Sequence, residues 1–259
     1  IVTKYQRGEH LMKIAAIIAE YNPFHNGHYY QLQKAKQITD ADYMIVVMSG
    51  NFTQRGTPAL IDKYSRARMA LMGGADLVLE LPVCYATGSA EYFASGAIAL
   101  LNQLGCVDSI CFGSECGDIV PLKNIASALA YESEEYQKLL KSHLKCGSTY
   151  PVARNTALAE TLDGFVPFDV ILGYPNNILG IEYIKAIIRQ NSSIEPFTNL
   201  RIGSDYHSYR LDDTFSSAIS IRQSLFTQDN LEMVRPQLPK AVYEIMQESF
   251  HKTFPVFSS

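Results

Sequence analysis

Lys13 to Ala19 (KIAAIIA) runs straight into Glu20-Tyr21-Asn22-Pro23-Phe24-His25-Asn26-Gly27-His28, and this junction decides the fold. The first part is a short unbroken apolar run, the pattern of a strand buried on both faces of a parallel sheet. A helical pattern begins near Gly27 and continues to about Thr39. The alternation recurs further along the chain. Tyr43–Met48 (YMIVVM), Asp76–Leu81, Ser109–Phe112 and Glu195–Ile202 read as strands, with a short one at Val170–Leu172. Between them, helices are expected from an Asp62 cap through Met72, with Gly73-Gly74 as the stop, over Ser89–Leu104, and over Asn176–Gln190. Strands separated by helices of this length predict an α/β fold, a doubly wound parallel sheet of Rossmann-like type. Val120–Leu162 is helical without a strand and reads as inserted helices. Phe215–Phe226 and Leu231–Phe250 read as terminal helices, giving a C-terminal helical extension.

The 259 residues carry 47% apolar and 19% charged side chains, with a net charge of −4. This is a globular composition with a sizeable core, not a disordered one. No apolar run reaches the ~18 residues of a membrane span, so no membrane partner is expected. Ile1–Leu11 lack an apolar signal core, so no secretion signal is expected; they read either as a leader or as residues foreign to the natural protein, ahead of a natural start at Met12. The five cysteines, Cys84, Cys106, Cys111, Cys116 and Cys146, are odd in number and suggest free thiols in a reducing, cytoplasmic setting. Cys84 and Cys111 read as buried apolar thiols. The acidic balance excludes nucleic-acid binding by bulk charge but not a local basic patch.

The chemistry is expected where the first strand ends. In an open parallel sheet, ligands bind beyond the carboxyl ends of the strands. The free N–H groups and positive dipole end of the following helix favour phosphate. His25 would precede the helix and His28 would occupy its first turn, so both imidazoles can reach one anion. Gly27, without a Cβ, allows close approach of a flat base or a phosphate, and Pro23 fixes the loop. Two imidazole donors suit charge growing on an α-phosphate and its pyrophosphate leaving group. The competing reading of the H-x-x-H pair as a zinc site lacks a third ligand cluster, so no metal ligands are assigned.

His25-Asn26-Gly27-His28 after an apolar strand resembles the H-x-G-H signature of the nucleotidyltransferase superfamily, whose fold is of the HUP type. Ordinary adenylyltransferases resemble G-[ST]-F-D-P-x-H-x-G-H, whereas here Ala19, Glu20 and Asn22 depart from that pattern. The string AEYNPFHNGH, together with VMSGNFTQRGTPA (Val47–Ala59), DLVLELP (Asp76–Pro82), FGSE (Phe112–Glu115) and PNNILGIEYIKA (Pro175–Ala186), is similar to the bacterial tRNA(Met) cytidine acetate ligase family. The resemblance covers about Met12 to Leu225. It implies a nucleotidyltransferase domain over 12–228 and the truncated beginning of a further helical region over 229–259. It also implies a two-step reaction. Acetate attacks the α-phosphate of ATP to give acetyl-adenylate, and the acetyl group then passes to N4 of the wobble cytidine of elongator tRNA(Met).

The ATP site implied by the resemblance runs through Ile18, Ala19, Glu20, Tyr21, Asn22, Pro23, Phe24, His25, Asn26, Gly27, His28, Tyr29, Tyr30 and Gln31, with Gly113, Asn176, Arg201 and Ile202. His25 and His28 are the catalytic pair. The residue chemistry agrees: Gly113 ends a strand, Asn176 offers donor and acceptor near a helix start, and Arg201 suits a phosphate. Ser216-Ser217-Ala218-Ile219-Ser220-Ile221-Arg222 resembles a degenerate I-S-S-T-x-I-R signature. Ser217 and Arg222 either hold the β- and γ-phosphates or form an ordinary helix cap with an exposed Arg.

Other candidates carry less. Gln54 and Arg55 follow the second strand and would face the same crevice. Lys63, Arg66 and Arg68 form a basic cluster, read either as a tRNA-phosphate contact or as a solvated face. Tyr29 and Tyr30 could stack on a base but read more readily as core. Glu20 suits Mg²⁺ through water, a bias toward a small acid, or acceptance of a loop hydrogen bond. The rival functions are an adenylyl- or cytidylyltransferase acting on a small phosphorylated metabolite, and a nucleotide- or RNA-binding module without chemistry.

Overall fold

The chain is seen in a computed structural model that describes residues 6–7, 10–162, 171–201 and 215–255. Five strands, β3 (Ile14–Ala19), β4 (Tyr43–Ser49), β5 (Leu77–Leu81), β6 (Ser109–Ser114) and β7 (Glu195–Leu200), form one parallel sheet in the order β5-β4-β3-β6-β7. Ahead of them, β1 (Gln6–Arg7) and β2 (His10–Leu11) make a small antiparallel pair. The helices are α1 (Asn26–Thr39), α2 (Lys63–Met72), α3 (Val83–Ala86), α4 (Ala90–Leu104), α5 (Ile119–Tyr131), α6 (Glu134–Lys145), α7 (Tyr150–Thr161), α8 (Pro175–Arg189), α9 (Ala218–Gln228) and α10 (Lys240–Ser249).

The unbroken apolar run of β3 follows from burial on both faces. Ala15 and Ile17 pack into one core with Leu32 of α1, Met69 of α2, Ile221 of α9 and Met246 of α10. Ala16 points the other way, into a core with Phe93 of α4, Ile125 of α5 and Ile184 of α8. At the amino ends of the strands, three aspartates fasten neighbours. Asp42, Asp76 and Asp108 accept hydrogen bonds from the N–H groups of Lys13, Met44 and Ile14. The chain adds β4 and β5 on one side of β3, then returns to add β6 and β7 on the other. Loops leaving the carboxyl ends of β3 and β6 therefore diverge and open a crevice between them.

The alternation of strands and helices is as expected, three local readings are corrected, and one short helix is additional. Leu231–Phe250 is not one helix but a 3₁₀ segment (Leu231–Gln237) followed by α10, because Pro236 and Pro239 lack the N–H a continuing helix needs. Phe215 to Ser217 lie before α9, which Ser217 caps by accepting from the Ser220 N–H. Ile171 and Leu172 are helical, and Val170 lies outside the described residues. The short helix α3 went unrecognised because four residues give no periodicity to read.

Candidate active site

His25 is the N-cap of α1, its backbone extended at φ −141°. Its Nδ1 accepts the Gly27 N–H at 3.0 Å, so the proton of the neutral ring sits on Nε2. His28 stands in the first turn, and its ring stacks on that of His25 with centroids 3.7 Å apart. Gly27 is needed here for the His25 ring as well: a Cβ would lie 2.9 Å from His25 Cε1. Behind the pair, the buried Tyr21 ring meets Phe24 and His28 edge-on, at 4.8 and 4.9 Å between centroids.

The two imidazoles open into a cavity of ≈ 390 Å³ at the carboxyl ends of β3, β4 and β6. That volume lies within the range of small-molecule sites. Its walls bring together Ile18, Ala19, Glu20, Tyr21, Asn22, Gln31, Gly113, Asn176, Arg201, Ser217 and Arg222 with His25 and His28. Gly27 and Tyr30 line a smaller recess of ≈ 40 Å³ that shares His25, His28 and Arg201 with it. Pro23, Phe24, Asn26 and Tyr29 do not line the cavity. Phe24 is fully buried in the core, Asn26 donates to the Pro236 carbonyl at 2.8 Å, and Tyr29 is exposed rather than core. Ile202 lies outside the described residues.

Burial lowers the His25 pKa to about 3, helped by the positive charges of Arg201 and Arg222. Burial likewise holds His28 well below 6.5, with His25 and Arg201 adding to it and the Pro23 carbonyl opposing. Both rings are thus neutral donors at neutral pH. Arg201 Nη1 donates to Asn176 Oδ1 at 3.2 Å, while the Asn176 amide donates to Glu115 at 2.6 Å. Arg222 is half-buried, faces the cavity and donates to the Asn22 carbonyl at 2.7 Å. Ser217 therefore serves as a cap and as cavity wall at once.

Several contributors went unread in the sequence. Asn177, beside Asn176, is buried; its carbonyl accepts from the Glu115 and Cys116 N–H groups and its amide donates to Ile171. It locks the loop after β6 to the head of α8. Ala90, Phe93, Ile178, Leu179 and Tyr183 form an apolar wall of the cavity; their helical spacing carries only a core signal. Gln54 and Arg55 do line the cavity, with Thr53 and Thr57.

The basic cluster on α2 is not a free cationic face. Arg66 is fully buried, Lys63 pairs with Glu80 at 2.6 Å, and Arg68 pairs with Glu248 at 2.8 Å. Cys84 is exposed, against expectation, while Cys111 is buried with its thiol pushed up to about 12. All five cysteines are free. Among the described residues no group of three or more His, Cys, Asp or Glu is placed to hold a metal, and no helix is long and apolar enough to cross a membrane.

The model of the HIGH Nucleotidyl Transferase family matches residues 12–259. A tRNA(Met) cytidine acetate ligase of Caldicellulosiruptor bescii is 52% identical over 240 residues, covering 92% of this chain and 58% of that protein. One from Clostridium novyi is 44% identical over 246 residues, covering 95% and 62%. Two crystal structures of Thermotoga maritima TmcAL, each 42% identical and covering 95% of this chain, share the fold. The apo form has a TM-score of 0.90 and is 59% covered; the form bound with alpha-thio ATP has 0.86 and is 58% covered. The chain thus spans about three fifths of the length of these relatives.

Proposed function

The chain belongs to the HIGH nucleotidyl transferase family, and from that premise we propose that it activates acetate with ATP and passes the acetyl group to N4 of the wobble cytidine of elongator tRNA(Met). The observation that carries this reading is the stacked pair of neutral imidazoles at the head of α1, opening into the cavity. The relatives' names supply the acid and the tRNA.

In the first step an acetate oxygen attacks the α-phosphorus of ATP. The bond from that phosphorus to the bridging oxygen breaks, and pyrophosphate leaves with the electron pair. The His25 Nε2–H, its tautomer set by Gly27, donates to the phosphate oxygens as charge builds, with His28 stacked beside it. Arg201 and Arg222 supply fixed positive charge on the same cavity, and the head of α1 adds the dipole's positive end. In the second step the cytidine N4 attacks the acetyl carbon, AMP leaves, and N4 loses a proton.

The ATP-site residues in this proposal are those of the cavity wall given above other than Glu20, whose carboxylate accepts the Gln54 N–H. Mg²⁺ would arrive on the nucleotide's own phosphates. The free thiols fit a cytoplasmic location.

Acetate-dependent exchange of labelled pyrophosphate into ATP tests the first step. His25→Ala and His28→Ala should each abolish exchange while leaving the melting curve of a folded protein. Full exchange in both variants would remove the mechanism.

A further inference from the structure

Glu20 stands where ordinary adenylyltransferases place a small hydroxyl residue, and phosphate chemistry alone gives no reason for a carboxylate there. Its hydrogen bonds do. Glu20 Oε1 accepts the backbone N–H of Gln54 at 2.8 Å, tying the end of β3 to the loop that follows β4. That loop folds back on itself: the Thr53 N–H donates to the Thr57 carbonyl, the Gly56 N–H to that of Thr53, and the Ala59 N–H to that of Asn51. Thr53, Gln54, Arg55 and Thr57 all line the cavity.

Beneath the same two strand ends lies Arg66, with no exposed surface. Its guanidinium donates to the carbonyls of Glu20 at 2.6 Å, Ser49 at 3.1 Å and Gly50, while its Nε donates to Ile61 at 3.0 Å. A buried Arg with five fixed donors can fan across several carbonyls in a way no other side chain can. Burial lowers its pKa to about 10, so it remains a cation at neutral pH, supported by Glu20, Asp62 and Glu80.

The cavity therefore has two differently built sides. The imidazoles, Gly113, Asn176, Arg201, Ser217 and Arg222 make the side proposed for ATP. The same cavity is also lined by Thr53, Gln54, Arg55 and Thr57 and by apolar residues of α4 and α8. We propose that Glu20 and Arg66 are positioning residues for the subsite of the second substrate, a small carboxylic acid, by holding the 49–57 loop as that subsite's wall. This rests on the acid-activating reading above and assigns Glu20 a task distinct from contact with nucleotide or metal. Arg55 stands on the same wall, and Phe93 and Ala90 give the cavity apolar surface of the kind a short alkyl group needs.

The test uses the full-length protein and three variants: Glu20→Ala, Glu20→Gln and Arg66→Lys. In pyrophosphate exchange, Glu20→Ala and Arg66→Lys should raise the KM for acetate by about tenfold to a hundredfold while the calorimetric Kd for ATP shifts by less than about twofold, as expected of a displaced substrate wall. Glu20→Gln keeps an acceptor for the Gln54 N–H and should recover most of what Glu20→Ala loses. Hydrogen exchange supplies a readout that needs no turnover: amides of 50–57 should exchange faster in Glu20→Ala, with those of α1 unchanged. Unchanged loop exchange overturns the proposal. So does an equal loss of ATP affinity, or a Glu20→Gln as impaired as Glu20→Ala. A native protein that binds ATP but shows no acetate-dependent pyrophosphate exchange overturns both the acid subsite and the acid-activating reading, whereas normal native pyrophosphate exchange with unaltered KM values in the variants overturns the subsite alone.

Discussion

The Gly27 N–H donates to His25 Nδ1 at 3.0 Å, and the imidazole lies over the position a Gly27 Cβ would take. One residue thus sets both the tautomer and the place of the ring that would meet the α-phosphate.

Gly27→Ala follows directly. The added methyl meets His25 Cε1 at 2.9 Å and Nδ1 at 3.0 Å, so the ring must turn away. Pyrophosphate exchange should fall by roughly a hundredfold, the scale of losing one preorganised donor. Alanine suits a first helical turn, so the thermal midpoint should hold or rise slightly. Native exchange rates in this variant would show that the ring position is unimportant.

The buried imidazoles impose a pH dependence on stability. His25 titrates near 6.5 when unfolded and near 3 when folded. Between those values the unfolded chain takes up the proton and the folded chain resists it. The stability contributed by the neutral ring is complete above pH 6.5 and is lost progressively as the pH falls toward 3; His28 acts in the same direction. Urea midpoints measured across this window should decline, and His25→Gln should flatten part of the decline.

Two adjacent asparagines should separate cleanly. Asn177 is buried with three hydrogen bonds, so Asn177→Ala strands buried backbone groups and should cost about 2–4 kcal/mol in urea unfolding. Asn176 lines the cavity and touches Arg201. Asn176→Ala should leave the midpoint within about 1 kcal/mol of native and weaken ATP binding several-fold.

Phe24 and Tyr29 reverse the usual expectation for motif neighbours. Phe24 is fully buried against Tyr21 and Gly73, so Phe24→Ala should cost about 3–5 kcal/mol. Tyr29→Ala on the exposed face should change stability by less than about 0.5 kcal/mol, as surface replacements do. A stable Phe24→Ala with impaired nucleotide binding would instead place that ring in the site.

The parts of the molecule legible in the sequence are those whose cause is local. β3 shows itself by its apolar run, and Asp62 by standing one residue ahead of α2, where its carboxylate accepts from Tyr64 and Ser65. The imidazole pair is legible because His25 and His28 sit within one helical turn. Arg66 is not: its decisive partner, Glu20, lies 46 residues earlier, and three basic residues on one helix look alike until the packing is known. Phe93 and Tyr183 are hidden for another reason. An apolar side chain lining a cavity and one filling a core have the same periodicity. The break between Leu231 and Phe250 was available in Pro236 and Pro239 but lay beneath a continuous apolar pattern.

Asn26, the variable letter of the imidazole signature, reaches away from the cavity to the Pro236 carbonyl. The tether joins the tip of α1 to a segment 210 residues downstream, with Arg68 and Glu248 clasping the same flank from α2 to α10. A displacement of that trailing segment would pull on the very turn that seats the two rings. The seat of the imidazole pair is thus moored to the packing of the carboxyl-terminal helices as well as to the sheet.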